Sequence, residues 1–279
     1  MTDRSDSSVA GLPALVRPRP VLSVTLLYLL ACYLAFLAVD VFDVLGSREL
    51  LGRADGKPLW FHLFGEAMPT EWLQWVWLGA TTIVGALAAS RAFSAGHRQV
   101  ARFLLLLSVA GALMLIEDAG NVSHQQAQLL QQLAGESSLI RVGGRLPVFV
   151  VIAAVPTYAL IRYWPTLRTY PSGHRLFLAG YGIYGLAAFS SVPANLLFGF
   201  YGRAGDWALN TLFGGRLVPI EDYWGVEGDA TNLVFMDFVY EESLELIAAS
   251  LLLATALSLY HTLREVPDAL AQTYAGADR

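Results

Sequence analysis

Long apolar runs alternate with short polar interruptions along this chain, and the length of the runs decides the kind of protein it encodes. Six of them, at roughly 21–41, 72–91, 102–124, 146–164, 175–200 and 233–262, approach or exceed the ~20 residues a helix needs to cross a bilayer core of about 30 Å. The pattern predicts an all-α fold, a polytopic transmembrane helical bundle of about six spans. No internal repeat is visible, so residues 21–262 form one membrane domain. A polar stretch at 1–20 reads as a disordered cytoplasmic tail, and 263–279 as a second cytoplasmic tail.

Composition strengthens this assignment. Hydrophobic residues make up 55% of the chain, charged residues only 15%, and the mean hydropathy is +0.50. Soluble domains carry about a quarter charged residues. Nothing in the pattern points to a nucleic acid partner; the lipid bilayer is the expected one. The net charge of −5 matters less than where the charges fall.

Arg4, Arg17 and Arg19 precede the first run. Arg91, Arg98 and Arg102 mark the connection at 92–101, and Arg162, Arg168 and Arg175 mark the one at 165–174. Placing these on one side with Arg264 and Arg279 puts eleven of the eighteen basic residues there. The positive-inside rule then predicts both termini in the cytoplasm, and a plasma membrane location, that of the inner membrane in a bacterium. Trp72, Trp75, Trp77 and Trp164 suit interfacial aromatic belts. The outer loops 42–71 and 201–232 are long, and the second is acidic, with Asp206, Glu221, Asp222, Glu227 and Asp229. Loops of that length often cover a site. Cys32 is the sole cysteine, so one chain can form neither a disulfide nor a thiolate metal site.

The informative interruptions are acidic. Span three ends in Glu117-Asp118-Ala119-Gly120-Asn121-Val122-Ser123-His124-Gln125. On a continuous helix Glu117, Asn121 and His124 share a face, with Asp118 and Gln125 beside it. Span six opens with Asp237, Glu241 and Glu245 at intervals of four, with Glu242 adjoining. Given the predicted orientation, both groups lie toward the outer face, as do Asp40, Asp43 and Asn195. A charge at the centre of a membrane helix costs about 3 kcal/mol on the insertion scale, and such residues mark ion or substrate paths by default. A divalent cation, shared protons, or Arg141 and Arg145 could offset the acids. Interfacial salt bridging is the structural alternative.

Carboxylates with an imidazole suit zinc, manganese or iron; carboxylates and amide oxygens suit calcium or magnesium. The sequence lacks the Glu-x-x-His of bundled di-iron proteins. Expected metal ligands are therefore Glu117, His124, Glu241 and Glu245, with Asp118, Asn121, Asp237 and Glu242 as outer partners or alternative ligands. His62 in the first outer loop is a possible further ligand. The metal's identity, like the catalytic residues, stays open.

These two segments resemble a loosely defined group of uncharacterised bacterial integral membrane proteins. In that group an Asp-Glu pair is followed after about five residues by His-Glu, and a later span carries Glu-Glu-x-x-Glu. Glu117, Asp118, His124 and Gln125 correspond here, then Glu241, Glu242 and Glu245. The first pair is reversed, and Gln125 stands where the group has Glu. The resemblance implies a polar site shared by two spans and brings no activity with it.

Two further motifs carry less. Gly180-Tyr181-Gly182-Ile183-Tyr184-Gly185 matches a dinucleotide fingerprint but lies inside a span, where small residues serve close helix packing. Pro171-Ser172-Gly173-His174 is similar to the central motif of membrane lipid phosphatases, but that family's flanking Lys/Arg and later Arg/His motifs are missing, so a turn is expected. The whole predicts a membrane protein with an outward-facing carboxylate/His cation site, either a metal-dependent enzyme for a lipid-like substrate, a proton- or cation-coupled transporter, or a non-catalytic subunit or assembly factor docking a membrane protein partner. The inner halves of spans one, four and six look almost wholly apolar, which leans away from transport.

Overall fold

The computed structural model describes residues 17–50, 56–135, 137–196, 200–223 and 226–277. The described residues are mostly helical, with one short hairpin. α1 (Pro18–Phe36) runs into a π-helical segment, Leu37–Val41, then a 3-10 turn and the short α2 (Ser47–Leu50). α3 (Leu59–Phe64) leads into α4 (Pro69–Ser94), and α5 (Arg98–Gly120) is followed by α6 (Val122–Ala134). α7 (Ser138–Arg168), α8 (Pro171–Leu196) and α9 (Phe200–Leu212) come next, then strands β1 (Glu221–Tyr223) and β2 (Val226–Asp229). The short α10 (Thr231–Val234), a second π-helical segment at Phe235–Glu241, and α11 (Glu242–Ala277) close the chain.

Among the described residues, five stretches are long and apolar enough to cross a membrane: Pro18–Val41, Leu59–Ser94, Arg98–Gly120, Val142–Arg168 and Thr231–Leu263. The sixth expected span coincides with helix α8, which is not among the five; its side chains from residue 190 onward lie outside the described residues, and so does that of Asn195. Residues 1–16 and the side chains of Arg141 and of the loop acids Glu221, Asp222, Glu227 and Asp229 are likewise outside them.

The last span is the axis of the bundle. Of its apolar window 78% is buried, against 22–50% for the other four. Leu246, Ala249, Leu252, Leu253, Ala256 and Leu257 bury faces all round it, the mark of a helix enclosed by others. α1, α4 and α8 pack directly on it, while α5 packs on α4 and α7. Small residues let α4 and α5 approach. A Cβ at Gly85 would stand 3.2 Å from Ser108 Cβ, and Ser108 Oγ donates to Thr82 O across the pair at 2.6 Å.

The two long loops, 42–71 and 201–232, are more than plain connections, as their length suggested. The first holds α2 and α3; the second holds α9 and the hairpin. α3 exists because its N-terminus is capped from a distance: Asp40 Oδ1 accepts from Leu59 N (3.1 Å) and Oδ2 from Trp60 N (2.7 Å). Arg48 in turn donates to the carbonyls of Val39, Asp40 and Val41, which the end of α1 leaves exposed. Between spans three and four, α6 folds against the start of α7, where a Cβ at Gly144 would lie 2.7 Å from Ala127 Cα. The aromatic belt is only partly realised. Trp72 is exposed, but Trp77 turns into the bundle and donates to the buried Thr25 hydroxyl (3.0 Å).

Candidate functional site

Three helices bring a group of acids, most of them buried or half-buried, together at one end of the bundle. α4 contributes Glu71, Gln74 and Trp75, spaced so that they line one face one turn apart. α5 contributes Glu117 and Asp118 from its last turn. The π-helical segment and the first turn of α11 contribute Asp237, Glu241, Glu242 and Glu245.

Gln74 is the centre of the arrangement. Its side chain has no exposed surface, and its Nε2 donates both to Asp118 Oδ2 (2.8 Å) and to Glu245 Oε2 (2.9 Å). One amide thus clamps a carboxylate from α5 to a carboxylate from α11. Gln74 Oε1 is left buried without a hydrogen bond, and so is Glu242 Oε2 beside it. Glu242 lies within electrostatic range of Glu245, Asp118, Glu71 and Glu241. The Trp75 indole N–H lies beside Asp118 but outside hydrogen-bond geometry. Buried polar atoms are nearly always satisfied, so two orphaned oxygens in one cluster, an amide oxygen and a carboxylate oxygen, need an explanation.

The mouth of the cluster is built differently. Asp237 is exposed there, and Arg145 of α7 is its positive neighbour; Glu66 feels both. Arg145 Nε also reaches Ser123 Oγ at 3.4 Å. Glu71 is tied back to its own helix start, accepting from Ala67 N, so it borders the cluster without being free to swing.

The expected ligands divide. Asp118, Glu242 and Glu245 meet around Gln74, and Glu241 stands within range of Glu242. Glu117 is close but otherwise engaged, for its Oε2 accepts from Ser123 N (3.0 Å) and caps α6. His124 does not lie on the α5 face that carries Glu117. Asn121 takes a left-handed conformation (φ 46°), which ends α5 at Gly120 and starts a separate helix. His62 sits on α3, edge to face with Phe61 at 5.9 Å. Asp40 and Asp43 serve the backbone around α2 and α3.

Among the described residues, no group of three or more His, Cys, Asp or Glu side chains is disposed to hold a metal ion. The donor set around Gln74 contains oxygen only. The groups missed in the sequence were Glu71, Gln74 and Tyr184, whose ring stands within electrostatic range of Glu245, Asp118, Glu117 and Glu241. A Glu-x-x-Gln inside an apolar run was the available signal for the first two.

The two phosphatase-like and nucleotide-like motifs have structural explanations. Pro171 opens α8, and His174 packs edge to face on Trp164 at 4.7 Å. Gly180 packs on α11, where a Cβ would meet Leu252 at 3.0 Å. No protein-family model matches the chain, and neither a curated protein nor a solved structure is detectably similar to it.

Proposed function

We propose that the chain is a multi-pass plasma-membrane protein whose Gln74–Asp118–Glu242–Glu245 cluster is a one-sided site for positive charge, facing the outer side with both termini inside. The observation that carries the proposal is the hydrogen-bond account of the cluster: one amide joins two carboxylates, and Gln74 Oε1 and Glu242 Oε2 keep lone pairs with no donor. Such oxygens, taken out of water, favour a cation that coordinates them. An all-oxygen set suits a hard ion such as calcium or magnesium, held with irregular geometry, rather than zinc or iron. A cation at this site would anchor or activate a bound molecule from the outer leaflet, and Glu241 and the Asp237–Arg145 mouth would lie on the way in.

Transport is the weaker alternative for a specific reason. Past Gln74, the buried face of α4 continues as Leu78, Thr81, Gly85, Ala88 and Ala92, and α11 continues as Leu252, Ala256 and Leu259. Among the described residues those buried positions carry no ionisable side chain, which weighs against a charged path to the other face. A docking role for the long outer loops remains compatible with the same cluster and predicts that its charges can be removed without functional loss.

The test is a calcium or magnesium titration of the full chain in mild detergent, read by thermal unfolding and elemental analysis. At a hundredfold excess over Kd a ligand stabilises by about 2.7 kcal/mol. The parent should show that shift with bound cation, and Asp118→Asn/Glu245→Gln should lose both while remaining folded. Equal shifts in the two proteins would overturn the assignment.

A further inference from the structure

A second space opens beside the cluster. Between α7 and α8 lies a groove of about 490 Å³, lined from Phe149 to Leu160 on one helix and from Phe177 to Phe189 on the other. Its lining is almost wholly apolar. At 1.5 Å per residue the α7 wall is about 17 Å long, close to the half-thickness of a bilayer core of about 30 Å. The groove therefore lies at membrane depth and has the length of one leaflet.

Two glycines keep it wide. At Gly182 and Gly185 an added Cβ would meet nothing within 4 Å, whereas at Gly180, which packs on α11, it would press on Leu252. The first two glycines therefore do not serve helix packing; they leave a wall recessed. Ala153, Thr157, Gly182 and Gly185 are exposed along the groove's edge, which faces the lipid phase. Tyr181 lies in the lining with its hydroxyl buried and unpartnered. Tyr184 lies within the α8 wall, about a turn short of its Phe189 end, and is also within electrostatic range of Glu245, Asp118, Glu117 and Glu241. An apolar channel one leaflet long thus shares a wall residue, Tyr184, with the group of carboxylates.

We infer that this groove holds one hydrocarbon chain of a membrane lipid whose headgroup carries an amine, placed at the Asp118–Glu245 cluster. The headgroup part rests on the reading of the cluster as a site for positive charge; the chain part rests on the groove alone. Tyr184, which lines the groove and lies within electrostatic range of the acids, joins the two. The acids select the headgroup by charge, and the recessed glycines select a linear chain by shape.

The experiment uses the full chain in nanodiscs containing phosphatidylethanolamine with a mid-chain diazirine, and in parallel phosphatidylglycerol bearing the same chain. Photolabelled peptides are mapped by mass spectrometry. Labelling should concentrate on 149–160 and 177–189 over the lipid-facing Leu26, Leu27 and Leu30 of α1, which supply the background. The amine lipid should exceed the glycerol lipid about tenfold, the ratio that about 1.4 kcal/mol gives. Gly182→Leu/Gly185→Leu should fall to the α1 background, with α1 labelling unchanged as the sign of an intact fold. Equal labelling of α1 and the groove, or no loss in the glycine variant, overturns the chain site. Groove labelling without headgroup preference overturns the amine assignment alone, and the cation titration separately tells whether the cluster's charge reading has failed.

Discussion

Asp40 and the Asp118–Glu245 pair are acids taken into a membrane bundle; Asp40 stands in one π-helical segment, and Glu245 follows the other by a turn. Their hydrogen bonds separate them. Asp40, 2% exposed, gives both oxygens to backbone N–H groups of α3, and Arg48 answers the carbonyls around it. Asp118 and Glu245 meet only a side-chain amide, and next to them lie a glutamine oxygen and a glutamate oxygen with no donor. Asp40 is the more deeply buried of the two, for Asp118 and Glu245 are half-buried. A carboxylate satisfied by backbone belongs to the fold, because removing it unmakes a helix. Carboxylates that satisfy one another poorly are kept for something that is not part of the chain. The i→i+5 turns suit both uses, since they re-aim side chains and occur often at functional sites.

The largest effect should come from Asp40→Ala. Two charge-assisted bonds to α3 are lost, each worth about 1.5–3 kcal/mol, and the N–H groups of Leu59 and Trp60 are left buried. Thermal unfolding should show a loss of about 3 kcal/mol, while cation binding per folded molecule stays as in the parent. A variant that unfolds no earlier would place Asp40 with the functional acids and erase the distinction. Gln74→Leu comes next. It strips the donor from Asp118 and Glu245, at a cost of about 2 kcal/mol for unsatisfied buried groups, and it should also abolish the cation-dependent stabilisation. Full cation binding in this variant would show that the amide is only a structural clamp.

Glu117 sharpens the contrast because it lies between the two regions and does the work of the first. Glu117→Ala should cost about 1 kcal/mol through the lost cap on Ser123 N, and Glu117→Gln, which keeps an acceptor oxygen, should recover most of it. Both should bind the cation as the parent does. Rescue of stability by Gln but not of cation binding would move Glu117 into the site.

Much of this architecture was visible in the pattern of the chain, for a physical reason. A span is a matter of length and apolarity, and both are local, so Pro18–Val41, Arg98–Gly120 and Thr231–Leu263 coincide closely with the runs at 21–41, 102–124 and 233–262. The acids on α5 and α11 were visible too, since a charge in such a run stands out. What the pattern concealed is set by tertiary contact. Gln74 carries no charge and sits among tryptophans that suit an interface, so its role depends on two partners 44 and 171 residues away. The face shared by Glu117, Asn121 and His124 assumed an unbroken helix. Gly120-Asn121 was the warning, because asparagine is among the few residues that enter the left-handed region cheaply and end a helix there. The capping duty of Asp40 could not be seen at all, because α3 lies in a loop and its N-terminus is 19 residues away.

The smallest expected effect concerns His124, and it is informative because it is small. On a continuous helix this imidazole would lie on the same face as Glu117, about two turns on, and would make the site suitable for a transition metal. The break at Asn121 moves it to α6, whose buried residues, Ser123 and Ala127, pack toward α7 instead. His124→Gln should therefore leave calcium- or magnesium-dependent stabilisation unchanged, and it should not alter the preference of the site for hard over soft ions. Competition of zinc against magnesium, followed by elemental analysis of parent and variant, measures this directly. If the parent retains zinc and His124→Gln loses it, the outer ends of α5 and α6 must close on a ligand set that includes an imidazole. The oxygen-only account of the cluster would then give way, and the Asp118–Glu245 clamp would become the support of a metal site rather than the site itself.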